Sequence, residues 1–179
     1  MTIFDSERTL FFNNSITEYN SASIANDILK LASKSKETIN IIINSNGGSV
    51  RGLMTIMSAI DICGCDITTV DMGIAYSCAA LLFLKGKNRL MLKGSELMFH
   101  GAIREPNDSF VLLPDELMRT RELKKSNDMF IDIISSVTSL SKAQVRRKIY
   151  GKQYWLTAEE ALEINATTKI VKSLDDLKI

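Results

Sequence analysis

Histidine is almost absent from this chain, with one residue in 179, and cysteine occurs only three times. The cysteines, Cys63, Cys65 and Cys78, are an odd number and lack the paired spacing of a zinc site. A single imidazole cannot complete a common Cys/His metal site with them. We therefore expect neither a metal nor a cofactor, and we interpret Cys63-Gly64-Cys65 as a turn with small buried thiols rather than as a redox motif.

The chain also lacks an excess of charge of either sign. Lysine and arginine together number 22, aspartate and glutamate together number 21, and the pI is about 7.7. This balance provides no basic surface of the kind that binds nucleic acid or an anionic membrane. We therefore expect no nucleic acid and no membrane among the partners of this protein.

Long apolar segments are missing as well. The longest apolar run, residues 78–84, is far shorter than the roughly 20 residues that a bilayer requires. Residues 1–8 lack the basic start and apolar core of a signal peptide. We expect a soluble, cytoplasmic protein, and one domain, because a chain of this length can bury about two thirds of its unfolded surface without metals or disulfides.

What the chain does contain is an alternation of β-branched runs and helical patterns. Residues 39–43 and 67–72 are typical of buried strands, and each is followed by apolar residues at helical spacing. This order predicts an α/β fold with parallel crossover units. The predicted strands are residues 8–12, 39–43, 67–72, 88–92, 96–100, 109–113 and 170–171.

Helix-capping residues mark where the helices begin. Capping boxes at Ser141-x-x-Gln144 and Thr157-x-x-Glu160 predict helices from Lys142 and from Ala158, and Asn165 follows the second helix as a residue that tolerates the left-handed conformation. Further helices are predicted after Ser21 or Ser23, after Ser49, after Ser77 and over residues 115–137. We expect residues 173–179 to form a loose tail.

Ser77 lies where the strand at residues 67–72 gives way to strong helix formers. The small residues Ala75 and Ala79 flank it and permit a tight turn that projects the hydroxyl, as in a nucleophile elbow. The helix start also directs backbone N–H groups toward the place where an oxyanion would form. A serine at a helix start is more often an N-cap than a nucleophile, so Ser77 alone is a weak signal.

Two further features strengthen the signal from Ser77. His100 ends the apolar strand at residues 96–100, and Asn46-Gly47-Gly48 follows the strand at residues 39–43. A serine, a base and two sets of backbone N–H donors are the minimum for acyl transfer. Taken without Ser77, His100 is equally well explained as a structural histidine at the end of a strand.

Four motifs occur in an order that resembles the proteolytic subunit of the Clp protease, over about residues 8–171. They are Asn44-Ser45-x-Gly47-Gly48-Ser49, Gly73-x-Ala75-x-Ser77-x-Ala79, Met98-Phe99-His100 and Leu156-Thr157-Ala158-Glu159-Glu160-Ala161. The resemblance implies an α/β fold of the ClpP/crotonase type, a spiral of ββα units in a single domain of residues 1–179. It also implies a head of about residues 1–103 and 138–172, and a handle of one strand and one long helix at about residues 104–137.

The resemblance also implies a serine-type endopeptidase. In that family the residues at the matching positions are the nucleophile, here Ser77, and the general base, here His100. The oxyanion hole is implied to consist of the backbone N–H groups of Gly48 and Cys78.

Substrate and assembly are implied in the same way. The handle strand, with Ser109, Phe110 and Val111, would lie beside a polypeptide substrate and bind it by β-augmentation, which reads main chain more than side chain. The implied assembly is a homo-oligomer, a heptameric ring or stacked rings.

The chain departs from this family at the third member of the catalytic triad. Gln153 stands where the family has aspartate, and a one-residue gap would place Lys152 there instead. A glutamine can orient the His100 ring but cannot stabilise imidazolium by charge, a loss that can cost about 10⁴ in turnover in a serine triad. Three readings stay open, namely a weak hydrolase, a site completed by Asp108 or Glu105, and a subunit without catalysis.

Other departures concern partners and give the competing hypotheses. Asn40, Ile42 and Ile62 occupy positions where the family has aromatic residues that receive the loops of an unfoldase, which argues against docking of a Clp-type ATPase. Gly151-Lys152 replaces an Asp-Arg pair that couples ring stacking to activity in the family. The alternatives are a non-catalytic ring subunit that modulates an active homologue, and an acyl-CoA enzyme of the related crotonase architecture.

Overall fold

The protein consists of a mainly parallel sheet with helices packed against it. The structure, a computed structural model, describes residues 3, 7–103 and 113–177, with residue 113 described through its backbone only. The strands are β1 (Thr9–Phe12), β2 (Ile39–Ser45), β3 (Ile67–Tyr76), β4 (Asn88–Leu92), β5 (Glu96–His100), β6 (Gln153–Thr157) and β7 (Lys169–Val171). The helices are α1 (Glu18–Lys34), α2 (Val50–Cys63), α3 (Cys78–Leu84), α4 (Leu113–Val137), α5 (Lys142–Ile149), α6 (Ala158–Glu163) and a 3₁₀ helix at Leu174–Leu177.

The sheet divides along β3. Its strand order is β1-β2-β3-β4-β7, with every pair parallel. The first part of β3 pairs with β4 as far as Asp71, and the last part, from Ile74 to Tyr76, pairs in parallel with β5. Strand β6 then adds to β5 in antiparallel orientation. The predicted parallel α/β fold is confirmed, and β3 is longer than predicted because its second half finds its own partner strand.

The core lies where the apolar runs of the sequence meet. Strand β2 is buried at every position except Asn44, as expected for a strand covered on both faces. All of α3 is buried, and α1 and α2 pack against each other over this sheet. Within the described ranges, no helix combines the length and the apolar character needed to cross a bilayer.

Several predicted caps are confirmed. Ser141 and Thr157 cap α5 and α6 through complete capping boxes, Ser49 caps α2, and α2 ends at Gly64 in the left-handed conformation. Asn165 follows α6 with φ 61°, as predicted.

Two predictions about elements are wrong, and one strand was not predicted. The N-cap of α1 is Thr17, in a capping box with Asn20, so Ser21 and Ser23 lie inside the helix. Strand β6 was not anticipated from the sequence. Residues 174–177 are a 3₁₀ helix with Leu177 buried, so this part of the predicted loose tail is ordered.

The handle can be described only in part. Residue 113 begins α4, whereas the remainder of the predicted strand at residues 109–113 lies outside the described residues. The division into head and handle therefore stays a prediction.

Candidate active site

Ser77 occupies the turn between β3 and α3 in a backbone conformation that is uncommon for residues other than glycine. Its φ is 55° and its ψ is −122°, and its N–H donates to the carbonyl of Met98 on β5 over 2.8 Å. The side chain makes no capping hydrogen bond to α3. Strain of this kind is retained where surrounding contacts enforce it, and it is concentrated at functional sites. The serine is therefore not a side-chain cap, and its hydroxyl is half-buried at a sharp strand-to-helix turn.

Gly47 fits closely against this turn. A Cβ on Gly47 would lie 2.5 Å from the carbonyl oxygen of Tyr76 and 2.9 Å from both the Ser77 Cβ and the Cys78 nitrogen. The φ of 89° at Gly47 is also in the left-handed region. Only glycine at this position allows the loop after β2 to approach the serine turn so closely.

Gly48 and Cys78 lie on the two sides of the same corner. Burial raises the pKa of the Cys78 thiol to about 11, and the Ser77 hydroxyl and the Gly48 N–H beside the sulfur partly oppose this shift. Cys78 is the first residue of α3, so its own N–H has no acceptor within the helix. The structure thus brings together Gly48, Ser77 and Cys78, three of the predicted site residues.

His100 reaches the same edge of the sheet by way of β5. Tyr76 on β3 pairs with Met98 on β5 in parallel register, so Ser77 and His100 both follow at the carboxyl ends of neighbouring strands. The His100 Nδ1 lies 2.5 Å from the carbonyl oxygen of Gly101. Because a carbonyl only accepts, Nδ1 carries the proton in this arrangement and Nε2 is the basic nitrogen. The contacts of the described residues include no hydrogen bond between Ser77 and His100, a bond that often tightens only with substrate present.

Gln153 is the first residue of β6 and pairs directly with His100 across the two strands. Its side-chain oxygen accepts the indole N–H of Trp155 over 3.2 Å. Lys152 is exposed beside it. Glu105, Asp108, Ser109, Phe110 and Val111 lie outside the described residues.

A cleft of about 1190 Å³ opens next to His100 between α4 and α5. Leu123, Ile131 and Ile149 supply apolar walls. Gln153 and Trp155 close it on the side of β6, whereas Ser77 does not line it. No three His, Cys, Asp or Glu side chains of the described ranges lie together as a metal site would require.

Sequence reasoning missed two residues of this region. The first is Asn127 on α4, whose Oδ1 accepts a hydrogen bond from the N–H of Ala102 over 3.0 Å. The second is Gly101, which stands between His100 and Ala102 in the sequence. A glycine next to the only histidine, and an amide side chain near the apolar face of a long helix, are the signals that could have indicated them.

Comparison with known proteins gives a consistent result. The Clp protease family model matches residues 1–173. The proteolytic subunit of the ATP-dependent Clp protease of Porphyromonas gingivalis is 30% identical over 172 residues, 93% of this chain and 74% of that protein. Proteolytic subunit 2 of Thermobifida fusca is 27% identical over 177 residues, 96% of this chain and 84% of that protein.

A solved structure shows the same fold. A mutant of ClpP1 from Listeria monocytogenes superposes with a TM-score of 0.85 at 23% identity, covering 96% of this chain and 95% of that one. The predicted ClpP-type fold is thereby confirmed. Since the family model spans nearly the whole sequence, the chain belongs to the Clp protease family.

Proposed function

We propose that this protein is a ClpP-like serine endopeptidase subunit that hydrolyses unfolded polypeptides or short peptides through Ser77 and His100. The observation that carries the proposal is the backbone conformation of Ser77. At this strained turn, against which Gly47 packs closely, the serine hydroxyl makes no capping hydrogen bond to α3. Membership of the Clp protease family favours a peptidase over an acyl-CoA enzyme.

The chemistry follows from the roles of these groups. As Ser77 Oγ attacks the peptide carbonyl, His100 Nε2 takes the hydroxyl proton and then returns it to the departing amine. The backbone N–H groups of Gly48 and Cys78 receive the oxyanion of the tetrahedral intermediate. Water, deprotonated by the same imidazole, then releases the acyl group and restores the serine.

Substrate binding and assembly complete the proposal. Ser109, Phe110 and Val111 would pair with the substrate main chain by β-augmentation. The protein would act as a homo-oligomeric ring, heptameric or stacked, in the cytoplasm. Leu117 and Met118 on α4 are more than half exposed in the single protomer, which is consistent with burial between subunits.

Docking of a Clp-type ATPase has less support. Asn40 and Ile42 are buried within β2 and only Ile62 is exposed, so two of the three positions compared with the family cannot receive a partner's loop on this surface. Chromatography of the protein with and without such an ATPase tests the point.

The experiment that tests the proposed activity is labelling with a fluorophosphonate, combined with cleavage of a fluorogenic peptide. We expect covalent labelling at Ser77 and a loss of about 10³-fold or more in cleavage by Ser77→Ala. Ser58→Ala, an exposed serine on α2, is the matched control and keeps full activity. Absence of labelling in folded, assembled protein would contradict the proposal.

A second candidate is a catalytically weak or inactive subunit that modulates or scaffolds an active homologue. It is favoured by the glutamine at position 153, whose oxygen is bonded to Trp155. Gln153→Asp tests it, with Gln153→Asn as the neutral control of equal length. For a weak hydrolase we expect Q153D, and not Q153N, to raise kcat by about tenfold or more, because a triad carboxylate can contribute up to about 10⁴. If neither wild type nor Q153D cleaved peptide, the second candidate would stand.

A further inference from the structure

The imidazole of His100 has a main-chain partner in place of a carboxylate. Its Nδ1 lies 2.5 Å from the carbonyl oxygen of Gly101. The orientation of that carbonyl therefore decides which ring nitrogen is protonated, and so which one is left as the base. The contacts that fix the carbonyl of Gly101 therefore also determine how His100 is prepared as a base.

The peptide group between Gly101 and Ala102 is held from both ends. Its carbonyl faces His100, and its N–H, on Ala102, donates to Asn127 Oδ1 over 3.0 Å. The peptide group is planar and trans, so a hydrogen bond that fixes the N–H also fixes the direction of the carbonyl. An acceptor on the N–H also polarises the group and makes its oxygen a stronger acceptor.

Asn127 is itself anchored. Its Nδ2 donates to the carbonyl of Leu123 one turn earlier in α4, over 3.0 Å, which orients Oδ1 toward Ala102. The preceding N–H, on Gly101, donates to the carbonyl of Ile149 at the end of α5 over 3.0 Å. Two helices from different parts of the chain thus clamp the two residues that follow His100.

The close approach of Asn127 depends on the glycine. A Cβ at position 101 would lie 2.7 Å from Asn127 Oδ1, closer than real Cβ contacts come. An alanine at this position would displace the amide or the peptide that it holds.

From these contacts we infer that Asn127 is a positioning residue for the proposed hydrolysis, holding the Gly101 carbonyl so that His100 keeps its proton on Nδ1 and presents Nε2 as the base. The inference rests on the proposed function. In the family a triad aspartate orients the histidine. The inference assigns that orienting role here to the carbonyl of Gly101 and to the Asn127 side chain that fixes it.

The test uses the single histidine of the chain. In protein labelled with ¹⁵N-histidine the two ring nitrogens of His100 give the only imidazole signals, and at alkaline pH their shifts report the tautomer. We expect wild type to show protonated Nδ1. Asn127→Leu, of similar size but without an acceptor, shifts the ring toward protonated Nε2 and lowers kcat by about 10- to 100-fold with KM little changed.

Conservative and control variants separate positioning from folding. Asn127→Asp keeps an acceptor for Ala102 but loses the donor to Leu123, so it should retain the wild-type tautomer and lose less kcat than N127L. Ser126→Ala removes a hydroxyl that donates to the backbone carbonyl of Glu122 on the same helix, and it should change nothing. Should N127L not fold, Gly101→Ala supplies the same test, since its Cβ displaces the Asn127 amide.

Two results are decisive. Protonated Nδ1 and unchanged kcat in N127L or G101A would overturn the inference. A tautomer change in those variants, in a protein whose wild type shows neither Ser77 labelling nor peptide cleavage, would overturn the proposed function instead and would leave the placement of the ring supported.

Discussion

Asp71 is an ionisable residue in an interior position of β3. It is fully buried, its Oδ1 accepts the N–H of Gly73 over 3.1 Å, and its Oδ2 has no hydrogen-bond partner among the described residues. Burial raises the pKa of this carboxyl to about 7, and the charge of Glu96 adds to the rise, against the opposing hydrogen bonds from Gly73 and Ser95. The carboxyl is thus protonated in the folded protein at pH values where the unfolded chain has lost the proton.

This difference predicts a pH-dependent stability. Between about pH 4 and pH 7 the folded state binds more protons at Asp71 than the unfolded state, so its contribution to the free energy of unfolding falls as pH rises, by up to about 4 kcal/mol. Asp71→Asn should remove this slope and stabilise the protein at pH 8. The gain should be about 1–3 kcal/mol and not the full value of about 4 kcal/mol, because an amide donor left unpaired offsets part of it.

Urea unfolding at pH 5 and pH 8 measures the effect. Asp27→Asn, which removes only a long surface ion pair with Lys30, is the control and should stay within about 0.5 kcal/mol at both pH values. An unchanged pH slope in D71N would show that Asp71 is ionised, or solvated, in the folded protein.

At this scale, sequence reasoning could propose the residues with reactive groups but not the residue inferred to orient them. Ser77, His100, Gly48 and Cys78 are indicated by short motifs whose chemistry is local. Asn127 acts through a peptide group 25 residues earlier in the chain, a contact that no local pattern encodes.

At the scale of elements, apolar periodicity predicts a strand or helix only where burial is extensive. β2 and α3 are almost entirely buried, and both were predicted. β6 has one fully buried position in five, so it has no apolar pattern of its own and exists because β5 offers it an edge. The start of α1 was misplaced because the box of Thr17 with Asn20 lies before Ala25, the first buried apolar residue of the helix.

The packing of α1 on α2 gives the next prediction, which concerns Gly52. A Cβ there would overlap Ser21 Oγ and lie 2.9 Å from Ile16 Cγ2 and 3.0 Å from the Thr17 carbonyl oxygen. Alanine is favoured over glycine inside a helix by about 1 kcal/mol, but overpacking costs about 1–3 kcal/mol. Gly52→Ala should therefore destabilise the protein by up to about 2 kcal/mol in urea unfolding.

The matched control is Gly94→Ala, because a Cβ at Gly94 would meet no atom within 4 Å. It should change the free energy of unfolding by less than about 0.5 kcal/mol. Stabilisation by G52A would mean that α1 moves away from α2 without cost, contrary to the contacts described.

At the scale of the whole molecule, Ile3 and Leu177 meet on one face of the sheet although they are far apart in the sequence. Leu177 packs with Ile3, Ile42, Val70 and Val171 in an apolar cluster separate from the main core. The 3₁₀ helix that carries Leu177 is fixed by Asp176, whose carboxylate accepts the N–H groups of Lys172 and Ser173 over 2.9 and 3.1 Å. The sequence suggested a tail because Ile3, Ile42 and Val70 lie far from Leu177 along the chain, and only the assembled sheet brings them together.

Leu177 should therefore contribute to global stability, although it lies near the end of the chain. The side chain is 5% exposed, whereas Leu174 of the same 3₁₀ helix is 62% exposed. We expect Leu177→Ala to lower the free energy of unfolding by about 2–4 kcal/mol through lost burial and the cavity left behind. Leu174→Ala should change it by less than about 0.5 kcal/mol. Urea unfolding of both variants at one protein concentration decides the matter, and equal small effects would mean that the chain end does not hold the sheet.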